Sequence, residues 1–178
     1  TNNNTIGTLG SVTRGGAFSL TDTTGGLTVT GPVTGGTITN GVTISTAGGA
    51  LAVNGNISTS GANNVSLTGV GITAGAVATV DGGAGTILLD GNAGAINLNA
   101  GSSLTTTNAG TSAITIRDAT TVALGGISAA SGTVVLGVGQ DITGAVTQNG
   151  ASIVNAGALT ASTGGSITLS NSNTIGAL

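Results

Sequence analysis

Apolar and polar residues alternate along this chain in short pieces, and glycine-rich breaks separate the pieces. In Leu27-Thr28-Val29, for example, two aliphatic side chains flank one polar side chain. A period of two predicts a β-strand that buries one row of side chains and exposes the other. Each of the following pieces is predicted to be such a strand with two inward side chains: 18–20, 27–29, 42–44, 51–53, 65–67, 87–89, 96–98, 114–116, 122–124, 134–136 and 167–169.

The residues that fill these pieces favour strands over helices. Thr, Val and Ile number 33, 15 and 14, while the strong helix formers Glu, Lys and Met are absent. β-Branched side chains are enriched in strands because they pack well on a pleated surface. The chain is therefore predicted to be all-β.

The spacing of the strands predicts a coil. Pieces of three to five residues are short for a sandwich, and leading apolar positions recur at 51, 65, 87, 114, 134, 153 and 167. Their mean step of roughly 19 residues is typical of a solenoid. The predicted fold is a right-handed parallel β-helix (β-solenoid) of roughly eight coils with about 19–20 residues each, roughly 40 Å long.

One short motif occurs near both ends of the chain. Asn4-Thr5-Ile6-Gly7-Thr8-Leu9 returns as Asn173-Thr174-Ile175-Gly176-Ala177-Leu178, at an offset of about 169 positions. Residues 1–178 are therefore interpreted as a single solenoid segment that is one unit of a longer tandem array. Residues 1–20 lack the basic start and apolar centre of a signal peptide, which agrees with an internal segment.

The composition leaves little chemistry for an active site. There is no His, Cys, Lys, Glu, Met, Trp or Tyr, and the charged residues are two Arg and five Asp. Nucleic acid is not an expected partner, because phosphates bind clustered Lys and Arg. No apolar run of about 18 residues predicts a membrane-spanning helix. The protein is predicted not to be an enzyme, with no catalytic, cofactor-binding or metal-binding residue and no cofactor.

A stretch from Asp81 to Asp90 bears comparison with the glycine-rich calcium loops of β-rolls. Its Asp81-Gly82-Gly83-Ala84-Gly85 start fits that pattern, but Ile87 stands where the repeat needs an aspartate. Calcium takes six to eight oxygen ligands, and two carboxylates nine residues apart supply only part of a shell. The favoured interpretation is that both aspartates occupy turns at coil corners.

Parallel β-helices can also degrade polysaccharides, which needs a carboxylate pair in one groove. The five carboxylates are scattered along the sequence, at Asp22, Asp81, Asp90, Asp118 and Asp141. Arg117 and Asp118 are neighbours, and neighbours in a strand point to opposite faces. Solvated charges or a local ion pair are therefore favoured over catalysis.

Several Thr-x-Thr pieces raise the alternative of a surface-binding face. Regular threonine arrays on a β-solenoid can order water at an ice surface, provided that each coil carries the motif at the same place. The pieces are 21–23, 28–30, 37–39 and 105–107, and the pattern lapses after Thr39. Ordinary β-branched surface residues are favoured, and an ice- or glycan-binding face stays open as the alternative.

The pattern of short repeats in this chain resembles two groups of proteins from Gram-negative bacteria. They are the filamentous-haemagglutinin-like exoproteins, which are exported by two-partner secretion, and related autotransporter passengers. The resemblance lies in three stretches, 4–9, Gly15-Gly16-Ala17-Phe18-Ser19-Leu20-Thr21-Asp22 and Gly94-Ala95-Ile96-Asn97-Leu98-Asn99-Ala100-Gly101. It implies a β-helical shaft. The family's secretion domain begins with an Asn-Pro-Asn signature, whereas the single proline here is Pro32, so only the shaft would be represented.

The resemblance and the repeats together predict the structural shaft of a secreted or cell-surface adhesin or extracellular fibre, which acts in adhesion or biofilm matrix through its length. The expected partners are further copies of the same repeat, in the same chain or stacked head to tail, and host or matrix glycans. The expected location is outside a Gram-negative cell. A polysaccharide-degrading enzyme is the least favoured alternative.

Overall fold

A computed structural model of the chain describes residues 4–34 and 41–178, which form a parallel β-solenoid without a helix. All pairings between the described strands are parallel. The predicted all-β class and the β-solenoid fold are confirmed. Short strands with tight corners explain this fold, because each turn buries its apolar row only by stacking on the next turn.

Each turn contributes strands to three faces, and the strands of one face pair from turn to turn. The first face consists of β3 (Phe18–Asp22), β6 (Val42–Thr46), β9 (Val65–Thr68), the first halves of β12 (Ile87–Leu98) and β14 (Ile114–Leu124), and the second halves of β15 (Gly126–Leu136) and β17 (Val154–Ala161). The second face consists of β1 (Thr8–Leu9), β4 (Leu27–Val29), β7 (Leu51–Val53), β10 (Ile72–Ala74), the second halves of β12 and β14, and β16 (Val146–Gln148). The third face consists of β2 (Val12–Thr13), β5 (Val33–Thr34), β8 (Ile57–Ser58), β11 (Thr79–Asp81), β13 (Ser103–Thr105), the first halves of β15 and β17, and β18 (Thr174–Ile175).

The solenoid has about six turns rather than the eight predicted. On the first face, six successive pairings lead from Phe18 to Leu159. Their mean step is roughly 24 residues per turn. Six turns spaced about 4.8 Å apart give a rod roughly 30 Å long. The predicted coil of about 19–20 residues was therefore too short.

The error came from treating residues of different faces as one column. Val65, Ile87, Ile114 and Val134 are successive residues of the first face. Leu51 and Ile167, the first and last residues of the series, belong instead to the second face. Five pairings on the second face lead from Leu51 to Ile167. The series counts six steps over these five turns, which makes the mean step too short.

The interior is a narrow stack of aliphatic side chains. On the first face the fully buried ladder runs through Ile44, Leu67, Leu89, Ile116 and Leu136. Side chains of similar shape stack at the spacing of the turns, so each contacts the equivalent residue above and below. Among the described residues, no aromatic side chain is fully buried in this core.

The third face was missed in the sequence. Its strands bury one large side chain per turn rather than two, as Val33, Ile57, Val80, Leu104 and Ile127 do. A single apolar residue between polar neighbours lacks the alternation that marks a strand. Of the predicted strands, the last is reduced to one bridge, between Ile167 and Val146.

Glycine is needed at the corners between strands for two reasons. Gly25 has a φ of 85°, a left-handed conformation that residues with a Cβ atom disfavour. Gly55 has no such φ, but a Cβ atom built there would lie 2.2 Å from the carbonyl oxygen of Gly31 in the preceding turn. Close stacking of backbone on backbone therefore adds to the need for glycine at the corners.

The two copies of the terminal hexapeptide lie at different places in the coil. Thr174 and Ile175 form β18 on the third face, paired with Asn155 and Ala156. In the first copy, Ile6 lies at the corner between the first and second faces, where its N–H meets the carboxylate of Asp22. The longer tandem array remains a prediction.

Candidate functional site

The structure separates the two carboxylates that suggested a calcium loop. Asp81 lies on the third face, and its Oδ1 accepts a hydrogen bond from the N–H of Gly83 at 2.9 Å. Asp90 lies on the first face, and its Oδ1 accepts one from the N–H of Asn92 at 3.1 Å. Each carboxylate holds a turn two residues further on. Among the described residues, no group of three or more acidic side chains is placed to hold a metal ion.

One ion pair joins adjacent turns of the first face. Arg117 approaches Asp90 Oδ2 with its Nε at 2.9 Å and a terminal nitrogen at 2.8 Å, because the two residues are register partners in β14 and β12. Asp118 does not take part in this pair. It forms a corner with a φ of 49°, so the local ion pair favoured from the sequence uses Asp90 rather than the neighbouring aspartate.

The pairing of Arg117 with Asp90 is expected to contribute no more than about 1 kcal/mol. The Arg117 side chain is 42% exposed, so water and salt screen its attraction to the carboxylate. We predict that Arg117→Ala lowers the free energy of unfolding by this small amount in low salt and by less in about 1 M salt, where the Debye length is about 3 Å. Urea denaturation at both salt concentrations measures the effect.

Arg14→Ala is the matched control for that experiment. Arg14 is exposed and has no ion-pair partner among the described residues, so its replacement should change stability by less than about 0.5 kcal/mol at either salt concentration. A loss above about 2 kcal/mol for Arg117→Ala, unaffected by salt, would contradict a screened surface pair.

The register also places Asp118 beside Asp141, which are far apart in sequence. The residues that follow them, Ala119 and Ile142, form a parallel bridge. Asp141 Oδ1 accepts a 2.7 Å hydrogen bond from the N–H of Val138, so this carboxylate holds its own turn. A polysaccharide-degrading site would need two carboxylates that face one groove, whereas the Asp141 carboxylate faces its own turn.

Asp22 is the exception among the carboxylates because it faces the interior. It is fully buried, and its Oδ1 accepts a 3.3 Å hydrogen bond from the N–H of Ile6. Its Oδ2 and the adjacent Thr23 Oγ1 are buried without a hydrogen-bond partner among the described residues. In the next turn its register partner, Thr46, is also buried and donates to the carbonyl oxygen of Gly49 at 2.6 Å.

The Thr-x-Thr pieces within the described part of the chain lie on different faces and do not form one array. Residues 28–30 begin in β4 on the second face. Residues 105–107 begin at the end of β13 on the third face. Thr106 points inward and donates to the carbonyl oxygen of Gly85 at 2.6 Å. Residues 37–39 lie outside the described part of the chain. The described pieces therefore do not form the regular array that the alternative of a surface-binding face needs.

A hydroxyl array does occur on the first face, where serine and threonine alternate. We call it the hydroxyl array, and its two outward columns run through β3, β6 and β9. The first column consists of Ser19, Thr43 and Ser66, and the second consists of Thr21, Ser45 and Thr68. The sequence did not reveal it, because the Thr-x-Thr pattern contains threonine alone and the members of each column lie a full turn apart in the chain.

The first turn leaves part of the core open to solvent. Leu9, Val12, Phe18 and Leu20 pack on the core but are only partly buried, whereas the equivalent side chains one turn later are fully buried. Among the described strands, β1, β2 and β3 each pair along one edge, with β4, β5 and β6. An apolar surface beside unpaired strand edges is a template for a further strand.

The last turn presents a similar apolar surface. Ile167 is 39% exposed and Leu178 is 96% exposed. They border a cleft of about 560 Å³ that is lined by Leu159, Thr160, Ala161, Ile167, Leu169 and Leu178. Large apolar side chains left exposed together mark a contact surface.

An amide network closes the third face of the last turns. The side chain of Asn173 accepts hydrogen bonds from the N–H of Val154 at 2.8 Å and from Gln148 Nε2 at 2.7 Å. Asn171 donates to the carbonyl oxygen of Ser152 at 2.7 Å. These contacts join the last turn to the turn before it and satisfy the backbone groups of Ser152 and Val154.

The stacked parallel turns make this chain a β-solenoid repeat protein. In comparisons with known proteins, no family model, no curated protein and no solved structure matches this chain. Among the described residues there is no helix long and apolar enough to span a membrane.

Proposed function

We propose that this chain is a non-enzymatic shaft segment of a secreted or cell-surface fibre of a Gram-negative bacterium, of the filamentous-haemagglutinin-like kind. The observation that supports the proposal is the uninterrupted parallel pairing of all three faces around one aliphatic stack. Such a rod resists extension and proteolysis because its backbone hydrogen bonds follow the long axis. Its length would present an adhesive tip or build biofilm matrix.

A shaft of useful length needs many more than six turns, since six measure roughly 30 Å. Further copies of the repeat would supply them, either in the same chain or as separate chains stacked head to tail. The partly exposed core residues of the first turn and the apolar cleft of the last turn support stacking, because each would be covered by the other. Contact with host or matrix glycans is a further part of the proposal.

The first test is electron microscopy of the purified 178-residue chain beside the native material. Fibres from the isolated chain would show that stacking is intrinsic. Discrete rods of roughly 30 Å beside much longer native fibres would show that covalent repeats supply the length. Compact globules from the isolated chain and short native particles would contradict the shaft.

We predict that the double variant Ile167→Lys, Leu178→Glu abolishes head-to-tail association, because it places charges in the apolar cleft of the last turn. Sedimentation velocity over a range of concentrations measures the association. The matched control is Val77→Lys, since Val77 is 82% exposed at a corner in the middle of the rod. Association that persists in the double variant, or that fails equally in the control, would show that stacking does not use this cleft.

A further inference from the structure

We propose that the hydroxyl array of the first face binds ice, through a layer of ordered water that its six side chains hold in place. The inference goes beyond the shaft role and does not depend on it. It is carried by the register of three consecutive turns, which brings together residues that no sequence motif connects.

The hydroxyl groups of the array are available for a ligand. Within the described part of the chain, none of the six hydroxyls forms a hydrogen bond with another protein group, although the backbone carbonyls of Thr21 and Thr68 accept one each. Ser19, Thr21 and Thr43 are exposed and the other three are half-buried. Each hydroxyl can donate one hydrogen bond and accept two, so every member can hold water.

The array is regular in two directions. Neighbours within a column are about 4.8 Å apart along the axis, and the two columns are about 6.7 Å apart along the strands. The pairing of β3 with β6 and of β6 with β9 has no register shift, unlike that of β12 with β14. A ligand that matches all six groups must itself repeat in two dimensions, as the surface of a crystal does.

Because the array is rigid, its six hydroxyls bind as one unit rather than separately. A single hydroxyl gains little from exchanging liquid water for ice, because the hydrogen bonds are nearly equivalent. The array lies over the fully buried side chains of Val42, Ile44, Val65 and Leu67, and β-branched threonine has restricted χ1 freedom. Waters held at fixed positions therefore lose little further entropy when they join a lattice, and six contacts act together.

The chemistry of the array favours ordered water over ions and sugars. It contains no charged residue. Asp90 and Arg117 lie one and two turns beyond Thr68, where the second column ends. It also lacks an outward aromatic ring, the stacking platform that binds sugars, because the single aromatic residue, Phe18, packs against the core. The threonine methyl groups and hydroxyls are the remaining features, and both suit a neutral lattice of water.

The experiment measures inhibition of ice recrystallisation and incorporation into a growing ice hemisphere by the 178-residue chain. We expect the unaltered chain to inhibit recrystallisation and to enter ice. Thr43→Lys, at the centre of the first column, should reduce inhibition by about tenfold or more, because a long charged side chain lifts the lattice off the array. Thr73→Lys is the matched control, since Thr73 is an exposed outward threonine of β10 on the second face, and it should inhibit as the unaltered chain does.

A second variant separates loss of binding from loss of fold. Thr43→Val with Ser45→Ala removes two hydroxyls and adds no bulk, so circular dichroism and the melting temperature should stay unchanged while inhibition falls. Three results would overturn the proposal: exclusion of the unaltered chain from ice, equal inhibition by Thr43→Lys and the unaltered chain, or array-dependent binding to insoluble cellulose without binding to ice.

Discussion

Replacing Leu89 by alanine is expected to lower the free energy of unfolding by about 3 kcal/mol. Leu89 is 1% exposed and stacks between Leu67 and Ile116 in the inward ladder of the first face. The substitution removes buried aliphatic surface and leaves a cavity that backbone pairing on both sides prevents from closing. Equilibrium denaturation followed by circular dichroism measures the loss.

The neighbouring leucine provides a control within the same strand. Leu88 points outward between Ser66 and Thr115 and is half-buried, so Leu88→Ala should cost less than about 1 kcal/mol. The comparison tests the register, because a slip of one residue would exchange the two side chains between core and surface. A larger loss for Leu88→Ala than for Leu89→Ala would contradict this register.

The second large effect is expected at a corner. Gly55→Ala should lower the free energy of unfolding by about 3 kcal/mol and the melting temperature by roughly 6–12 °C. The added Cβ would lie 2.2 Å from the oxygen and 2.6 Å from the carbon of the Gly31 carbonyl group, both backbone atoms. Because the N–H of Gly55 donates to the carbonyl oxygen of Val29 at 3.0 Å, the corner cannot move away without weakening the contact between turns.

Gly10→Ala is the control for this steric effect. A Cβ atom at Gly10 meets nothing within 4 Å, and neither Gly10 nor Gly55 has a positive φ, so the two substitutions differ in the space available. We expect a change below about 0.5 kcal/mol for Gly10→Ala. If thermal unfolding showed equal losses for both variants, close stacking of the corners would not be the reason for glycine at position 55.

The sequence correctly predicted the strands in which apolar and polar residues alternate within the strand itself. Leu27-Thr28-Val29 and Ile96-Asn97-Leu98 each place two aliphatic side chains on one side of a strand, and both form strands of the second face. It failed on the third face, where Val80 or Leu104 is the single large inward residue of its strand. Alternation cannot be recognised in a strand that buries one side chain.

The candidate sites depended on partners about one turn apart. Asp90 and Arg117 pair across neighbouring turns, as Ser45 and Thr68 do in the hydroxyl array. The length of the corner between two strands decides which residues meet, and corner lengths vary from turn to turn. Neither the ion pair nor the hydroxyl array could therefore be located before the register was known.

By itself, the sequence determined the all-β class, the short strands and the aliphatic core without aromatic residues, because these follow from side-chain size and local alternation. The tertiary structure alone decided the number of turns, the three faces and the residues that stack in each column. The physical reason is that strand pairing joins positions a full turn apart in the chain, and their register is selected by packing of the whole stack rather than by local preference.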